Sequence, residues 1–282
     1  MRPIKDQIIL ITGATDGLGK MVATDLAVQG ATLLLHGRDS QKGEAVLREI
    51  RGISGNNQNK FYNADLRSLA NVRRLAEAVK NDTDHVDVLI NNAGIGARTP
   101  ESKRELSEDG YELRLAINYL APFLLTYQLV DLLKRSAPSR VVNVASVGQQ
   151  KIDFDNIMLE KNYDDFHAYR QSKLALVMFT FDLAEELKGT GVNVNCLHPA
   201  TLMNTKMVFD SSYFDGPISR IEQGADAVEY LAESSHLDDV TGEYFDGKEK
   251  SRANPQAYDI EARKRLKRLA EQFTGMLVSA KA

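Results

Sequence analysis

The chain has 282 residues, of which 43% are hydrophobic, with a formal net charge of −4 and a single cysteine. This size and hydrophobic content are sufficient for a large globular core, and the mildly acidic balance does not favour nucleic acid as the main partner. One cysteine excludes an internal disulfide, and we find no signal peptide and no run of about 18 apolar residues, so we expect a cytoplasmic protein.

The first half of the chain alternates short apolar runs with longer amphipathic ones. Strands are predicted at 8–11, 32–35, 60–63 and 86–90, and helices at 18–29, 40–50 and 69–79. This alternation indicates parallel strands that are covered by helices. Because the strands are continuously apolar, we expect both faces of the sheet to be buried.

The second half keeps the same alternation. Strands are predicted at 140–144, 192–197 and 243–245, and helices at 111–133, 168–187 and 222–233, the first of these kinked at Pro122. The prediction is an α/β fold: a single doubly wound Rossmann-type domain over 1–282, with about seven parallel strands and helices on both faces. Residues 251–282 are predicted to form a C-terminal helical extension of this domain.

A glycine-rich turn, Thr12-Gly13-Ala14-Thr15-Asp16-Gly17-Leu18-Gly19, joins the first strand to the first helix. Gly13 allows a sharp turn, Gly17 allows backbone to approach a pyrophosphate, and Gly19 allows the helix to pack close to the sheet. Free N–H groups at the helix N-terminus attract phosphate. The turn predicts a dinucleotide site, although its spacing alone fits a merely tight strand–helix connection equally well. The residues assigned to the cofactor are Gly13, Thr15, Asp16, Gly17, Leu18 and Gly19.

The end of the second strand bears on the choice of dinucleotide. A site for NAD usually places a carboxylate here, whereas an arginine attracts the 2′-phosphate of NADP. Arg38 offers a planar donor fork, and neither His36 nor Gly37 is acidic. We therefore predict NADP(H), with a solvated surface charge as the alternative role of Arg38. Asp16 and Asp39 are nearby acids that weigh against the phosphate role.

Polar and small residues follow the third and fourth strands. Asp65, with Leu66 beside it, is placed to accept from an adenine amino group or, alternatively, to cap the helix that begins near Ser68. The run Asn91-Asn92-Ala93-Gly94 either lets the backbone pass close to a ribose or forms an ordinary turn. The residues assigned here to the cofactor are Asp65, Leu66, Asn92, Ala93 and Gly94.

Tyr169 and Lys173 lie four positions apart in a predicted helix and so project from one face. A free tyrosine has a pKa of about 10, which a nearby ammonium group lowers, and a positive nicotinamide ring would add to the effect. Such a tyrosine donates a proton to a carbonyl oxygen as hydride arrives, or accepts one in reverse. The pair is common in helices by chance, so its interpretation depends on the neighbouring residues.

Two further side chains complete the candidate catalytic set. Ser146 ends the fifth strand, at the same sheet edge as the glycine turn, where its hydroxyl either holds a substrate oxygen or caps a turn. Asn118 lies in an apolar helix, where a buried amide needs partners. It either holds a water that relays protons from Lys173 or is a satisfied core amide.

Together and in this order, these motifs resemble the short-chain dehydrogenase/reductase family over residues 5–247. The resemblance implies that Tyr169 is the acid/base and that Lys173 lowers its pKa and binds the nicotinamide ribose. It also implies that Ser146 orients the carbonyl and that Asn118 holds a water.

Within the family, the chain looks most like the retinol-dehydrogenase-like branch. This similarity rests on Gly37-Arg38-Asp39, on the 23 positions from Ser146 to Tyr169, and on the long tail. Light-dependent protochlorophyllide reductase shares the arginine pattern, but nothing in the sequence argues for a pigment.

The chain departs from the family pattern after the sixth strand. Members usually carry Pro-Gly there and a threonine five residues beyond the proline, whereas this chain has Pro199-Ala200, with Asn204 at that offset. Thr201 and Thr205 are both candidates to contact the nicotinamide amide. The predicted cofactor site includes Pro199 and Thr201, as well as Tyr169 and Lys173.

Two long segments, 147–167 and 199–220, follow strand ends and are rich in large apolar side chains. Loops of about 20 residues are uncommon unless functional. We predict a lid over an apolar substrate, with packing against the body of the domain as the alternative. The basic, amphipathic tail at 255–276 is expected to pack on its own domain or a second subunit rather than on a membrane.

The sequence thus predicts hydride transfer between NADP(H) and an apolar aldehyde, ketone or secondary alcohol. One alternative is a non-catalytic NADP(H)-binding regulatory protein on the same fold, against which the intact catalytic set argues. Another is an epimerase or dehydratase that recycles bound NAD, which Arg38 disfavours. The five histidines show no metal-ligand spacing. We predict no metal and no nucleic acid partner, and a homo-oligomer is compatible with the sequence.

Overall fold

Eight strands form one sheet in the order β3-β2-β1-β4-β5-β6-β7-β8 in the computed structural model, which describes residues 1–276. The strands are β1 (Ile8–Ile11), β2 (Thr32–Gly37), β3 (Lys60–Asn63), β4 (Val88–Asn91), β5 (Ser139–Val144), β6 (Val192–His198), β7 (Tyr244–Asp246) and β8 (Glu249–Ser251). The first seven pair in parallel, and β8 runs antiparallel to β7. The predicted doubly wound α/β domain is confirmed.

Helices connect these strands and cover both faces of the sheet. They are α1 (Gly17–Val28), α2 (Ser40–Ser54), α3 (Leu69–Asp82), α4 (Leu113–Leu115), α5 (Ala121–Arg135), α6 (Asp165–Glu186), α7 (Lys206–Phe209), α8 (Ile221–Glu233) and α9 (Ile260–Thr274). Short 3₁₀ turns lie at Ile4–Asp6, Ser235–Leu237 and Pro255–Tyr258. The predicted strand and helix positions agree with these bounds to within a few residues, but β8 was not predicted.

The sheet separates two hydrophobic cores, because successive side chains of a strand point to opposite faces. In β1, Leu10 packs in the core beneath α3, α5 and α6, whereas Ile9 and Ile11 pack in the core beneath α1, α2 and α8. All three side chains are fully buried. Burial of one such side chain contributes about 1.5–3 kcal/mol, so continuous apolar strands are stabilised from both faces.

The long helix predicted around Asn118 is interrupted by a π-helical turn at Ala116–Leu120, between α4 and α5. Pro122 lies inside the continuous helical stretch Leu113–Arg135, two residues after the π-helical turn, and the kink at this residue stays a prediction. Proline has no backbone N–H, so it cannot donate to a carbonyl of the preceding helical turn. Among the described residues, Leu113–Arg135 is the one helical stretch apolar and long enough to span a membrane, and 83% of its most apolar window is buried in the domain. It is a core helix of this fold.

The C-terminal helix α9 packs on its own domain, as the packing interpretation predicted. Leu266 and Ala270 are buried against the core that contains α6. Some of its basic side chains pair with acids elsewhere in the domain: Arg263 lies 3.3 Å from Asp182, and Arg265 lies 2.8 Å from Asp155. Residues 277–282 of the predicted extension lie outside the described residues.

Candidate active site

The carboxyl ends of β1, β4 and β5 lie side by side in the sheet, so the segments that follow them meet at one edge. In the glycine turn after β1, Gly13 and Gly17 have φ of +68° and +51°, in the left-handed region that favours glycine. A Cβ placed on Gly19 would lie 2.3 Å from the Gly13 carbonyl oxygen. The predicted close packing of helix against turn is therefore present, and it tolerates no side chain at Gly19.

The segment after β4 holds the glycine turn in shape. The Asn92 side chain donates to the carbonyl oxygens of Thr12 (2.9 Å) and Gly13 (3.2 Å). The Thr12 hydroxyl accepts from the backbone N–H groups of Asn92 and Ala93, both at 3.0 Å. Asn92 and Ala93 thus lie against the dinucleotide turn. Thr12 is a structural partner that the sequence reasoning left out of the site.

His36 is a second residue that sequence reasoning missed, since it was considered only as a non-acidic position. Its Nδ1 accepts from the Gly13 N–H at 3.3 Å, and its Nε2 lies 3.0 Å from the Ala64 carbonyl oxygen. Burial lowers the pKa of His36 to about 4, so the ring is neutral and its tautomer carries the proton on Nε2. The only sequence signal was a polar ring at the end of a buried strand.

The acids near Arg38 are engaged with other groups. Asp16 caps α1 and lies 3.4 Å from the Lys42 ammonium, whereas Asp39 caps α2 by accepting from the Lys42 N–H. Arg38 itself is exposed just after β2. The two acids that weighed against a phosphate role thus have partners of their own, and the phosphate role of Arg38 stays a prediction. Thr15 packs against Gly37, where a Cβ would lie 2.4 Å from its methyl group.

Asp65 does not cap α3, so that alternative was wrong. Its carboxylate accepts from the Arg67 backbone N–H (3.0 Å) and side chain (2.9 Å), and Asp109 caps the N–H of Leu69 instead. Partial burial works to raise the pKa of Asp65, but the Arg67 hydrogen bonds and the charge of Arg38 outweigh it and lower this pKa. An ionised acceptor at the sheet edge suits the predicted adenine contact. Leu66 beside it is buried in the core.

The candidate catalytic pair, Tyr169 and Lys173, lies in the first part of α6. Lys173 is buried, and its Nζ donates to the Val144 carbonyl oxygen at 2.8 Å and lies 5.9 Å from the centre of the Tyr169 ring. A Cβ on Gly94 would lie 3.4 Å from that Nζ and 3.1 Å from Asn118 Oδ1. The absence of a side chain at Gly94 therefore allows the segment after β4 to approach Lys173 and Asn118 closely.

The pKa values differ from the expected lowering at Tyr169. Burial raises the pKa of Tyr169, and the hydrogen bond with the Ser146 hydroxyl only partly opposes this. Burial also lowers the pKa of Lys173 to about 8, because its ammonium is removed from water. The chain alone therefore does not make Tyr169 acidic, and we expect a positively charged nicotinamide ring in the cleft to lower its pKa.

The side chains of Ser146 and Asn118 each form hydrogen bonds with backbone groups. The Ser146 hydroxyl accepts from the Gly148 N–H at 3.0 Å and lies beside the Tyr169 hydroxyl. Asn118, in the π-helical turn, accepts from the Ile95 N–H (2.9 Å) and donates to the Ile95 carbonyl (3.0 Å) and the Ser172 hydroxyl (2.9 Å). Its amide is satisfied by protein groups, as the core-amide interpretation predicted, and the water-holding role stays a prediction. The π turn is a local distortion that often marks functional sites.

The site geometry agrees with the relationships of the chain. The sequence profile described as short chain dehydrogenase matches residues 7–213. The chain belongs to the short-chain dehydrogenase family. It is 38% identical over 288 residues to retinol dehydrogenase 13 of Homo sapiens, an alignment that covers 97% of this chain and 86% of that protein. The predicted retinol-dehydrogenase-like branch and the oxidoreductase class are confirmed.

Solved structures of this family share the fold. An uncharacterized protein from Mycobacterium paratuberculosis superposes with a TM-score of 0.77 at 29% identity, covering 96% of this chain and 94% of that chain. A short chain dehydrogenase from Escherichia coli, complexed with NADPH, superposes with a TM-score of 0.70 at 27% identity, covering 86% and 97%.

The segment after β6, where this short-chain dehydrogenase departs from the family pattern, lies over the glycine turn. Thr201, two residues after Pro199, is 2.9 Å from His198 Nε2 through its hydroxyl. Thr205 lies 3.7 Å from a Cβ placed on Gly17. Both threonines thus lie at the dinucleotide edge, and which of them contacts the nicotinamide stays a prediction.

The two long segments that are predicted to cover a substrate differ; we call 147–167 the first and 199–220 the second substrate segment. In the first, Ile152 and Ile157 are buried in the main core and Leu159 is also buried, so most of this segment packs as the body-packing alternative predicted. In the second, Met207 and Phe209 expose 40% and 64% of their surface. The second segment is therefore the part that can serve as a lid over an apolar substrate.

Proposed function

We propose that the protein interconverts an apolar alcohol and its carbonyl compound by hydride transfer with NADP(H), with Tyr169 as the acid/base. The observation that carries this proposal is the convergence of Tyr169, Ser146, Lys173 and Asn118 at the edge of the dinucleotide turn. The structural neighbour complexed with NADPH supports the choice of cofactor.

The described residues fit a dinucleotide phosphate. The Gly17 N–H is capped by Asp16, and the N–H groups that follow it in the first turn of α1 would bind a pyrophosphate. The absence of a side chain at Gly19 keeps this turn closed on α1. Arg38 would hold the 2′-phosphate through its donor fork, and Asp65 would accept from the adenine amino group. The bound cofactor supplies or accepts the hydride.

Side chains of the protein transfer the proton and stabilise the charges that result. In the reducing direction, the Tyr169 hydroxyl donates its proton to the carbonyl oxygen as that oxygen gains an electron pair, and Ser146 donates a hydrogen bond to the same oxygen. The Lys173 ammonium stabilises the phenolate that remains and would hold the ribose. In the oxidising direction, the phenolate accepts the hydroxyl proton of the alcohol.

The aromatic surroundings of Tyr169 favour an apolar substrate. Phe166 stacks parallel to Tyr169 with ring centres 6.5 Å apart, and Phe214 meets Phe166 edge-on at 5.9 Å. Such a wall binds apolar groups through area rather than hydrogen bonds. The relatives are named retinol dehydrogenases, and retinal therefore belongs in any substrate panel. The cytoplasmic location, the homo-oligomer and the absence of membrane contact stay predictions.

The test is NADPH consumption with aldehydes and ketones of increasing apolar size, retinal included. We expect the wild type to reduce apolar members of the panel, and Tyr169→Phe to lose about 10²–10⁴-fold in kcat, the usual contribution of a positioned acid, without loss of NADPH affinity. Tyr230→Phe, a change of the same kind on α8, is the control and should retain activity. Unchanged activity of Tyr169→Phe, or a wild type that binds NADPH and reduces nothing, would contradict the proposal; the latter result would favour the regulatory alternative.

A further inference from the structure

A group of buried charges lies at the start of the catalytic helix, outside the tetrad. Asp165 and Arg114 expose only 1% and 2% of their surface. One carboxylate oxygen of Asp165 accepts from Arg114 Nη2 at 3.0 Å and from the Arg98 backbone N–H at 2.7 Å. A carboxylate buried this deeply requires partners for both of its oxygens, and the second oxygen has its partner in the second substrate segment.

That partner is Tyr213, whose hydroxyl donates to Asp165 Oδ1 at 2.6 Å. The Tyr213 ring also stacks on Phe166, with ring centres 4.9 Å apart and a 21° angle between planes. Phe166 in turn stacks on Tyr169. Tyr213 is thus joined to the first turn of α6 by a charge-assisted hydrogen bond and by an aromatic stack that leads to the catalytic phenol.

The part of the second substrate segment that precedes Tyr213 crosses the cleft. It begins with Thr205 near Gly17 and continues with Met207, whose side chain would lie 2.7 Å from a Cβ on Gly96. It ends where the Ser212 N–H donates to the Arg98 carbonyl oxygen at 2.7 Å. The segment 205–213 therefore spans from the glycine turn to the start of α6, and its far end is held at Arg98 and Asp165.

Arg114 extends this anchor to the first substrate segment. Its Nη1 donates to the Tyr163 hydroxyl at 2.8 Å, and its Nε donates to the Gly96 carbonyl oxygen at 3.1 Å. The Asp165–Arg114 pair thus connects both substrate segments with the chain that follows β4. The anchor is rigid because its charges are buried and bonded, whereas segment 205–213 exposes several of its side chains.

We propose that Tyr213 is a positioning residue, whose hydrogen bond to Asp165 holds segment 205–213 closed across the cofactor cleft beside Tyr169. This inference rests on the proposed function, since closure matters only if a cofactor and a substrate occupy the cleft. Without the bond, segment 205–213 opens more often, so the fraction of molecules in the closed state that binds substrate is smaller. Apparent affinity falls by the factor by which that population falls, whereas the chemistry in the closed state is unchanged.

The test compares Tyr213→Phe, which keeps the aromatic stack and removes the hydroxyl, with Tyr127→Phe. The Tyr127 hydroxyl also donates to a carboxylate, Glu186 at 2.8 Å, but lies on α5 away from the cleft. In NADPH-bound protein, we expect Tyr213→Phe to speed amide hydrogen exchange in 205–213 about tenfold, as loss of one charge-assisted hydrogen bond implies. KM for the carbonyl substrate should rise by a similar factor, with kcat changed less than about threefold.

The control should leave exchange in 205–213 and the KM at wild-type values, even if it lowers the melting temperature. Wild-type exchange in Tyr213→Phe, or equal acceleration in both variants, would overturn the positioning role. Exchange is read without a substrate, so this arm tests the positioning of segment 205–213 even if the wild type reduces no carbonyl compound. In that case the proposed function fails, while faster exchange in Tyr213→Phe alone would still support the closure.

Discussion

The two ends of the cleft, the glycine turn and the start of α6, depend on different kinds of chemical group. At the glycine turn, the fit depends on backbone and on missing side chains, as at Gly19, where a Cβ would meet a carbonyl oxygen at 2.3 Å. At the catalytic helix, the fit depends on buried ionisable groups, and burial raises the pKa of Tyr169 and lowers that of Lys173 to about 8. The first end is formed by the chain alone, whereas at the second end we expect the positive nicotinamide ring of a bound cofactor to lower the pKa of Tyr169.

The largest effect that distinguishes the two ends is expected from Gly19→Ala. The added methyl group meets backbone, which cannot move aside as a flexible side chain would, and overpacking of this kind costs about 1–3 kcal/mol. If the turn shifts to relieve the clash, NADPH affinity falls by up to about 100-fold. Fluorescence titration with NADPH measures this loss.

Gly52→Ala is the matched control for that experiment. Gly52 lies in α2 with nothing within 4 Å of an added Cβ, so alanine should stabilise the helix by about 0.5–1 kcal/mol and leave NADPH affinity unchanged. Equal NADPH affinity in both variants would show that the shape of the turn does not determine cofactor binding.

A smaller effect is expected from Arg38→Ala, at the same end of the cleft. Loss of the donor fork should weaken NADPH binding by about tenfold, the value of one charge-assisted contact, and leave NADH binding unchanged. Arg48→Ala, an exposed arginine on α2, controls for the loss of one positive charge. If the ratio of NADPH to NADH affinity stays the same in Arg38→Ala, the predicted phosphate role is wrong.

The backbone end was also the easier one to predict. Gly13, Gly17 and Gly19 carry their function in residue type and spacing, and the continuously apolar strands show where the sheet edge lies. Tyr169 and Lys173 could be paired by their four-residue spacing. The sequence therefore indicated the fold, the turn and the catalytic pair from local patterns.

Features that depend on distant contacts were not predictable in this way. The π-helical turn that presents Asn118 follows no residue pattern. β8 was missed for a different reason: its hairpin with β7 at Gly247 is local, but the strand is short and polar and has no apolar run. Tyr213 meets Asp165 across 48 positions. The pKa of Tyr169 in the chain alone was not predictable either, because the burial that raises it is not visible in the sequence.

The most direct measurement is the titration of Tyr169 by ultraviolet difference absorbance, as wild type minus Tyr169→Phe, with and without saturating NADP⁺. Without cofactor, we predict a phenol pKa above the usual 10.0, because burial disfavours phenolate. With NADP⁺ bound, the positive ring favours phenolate, so the pKa should fall and phenolate should form at lower pH. A phenol pKa that does not change when NADP⁺ binds would contradict the claim that the cofactor completes the acid.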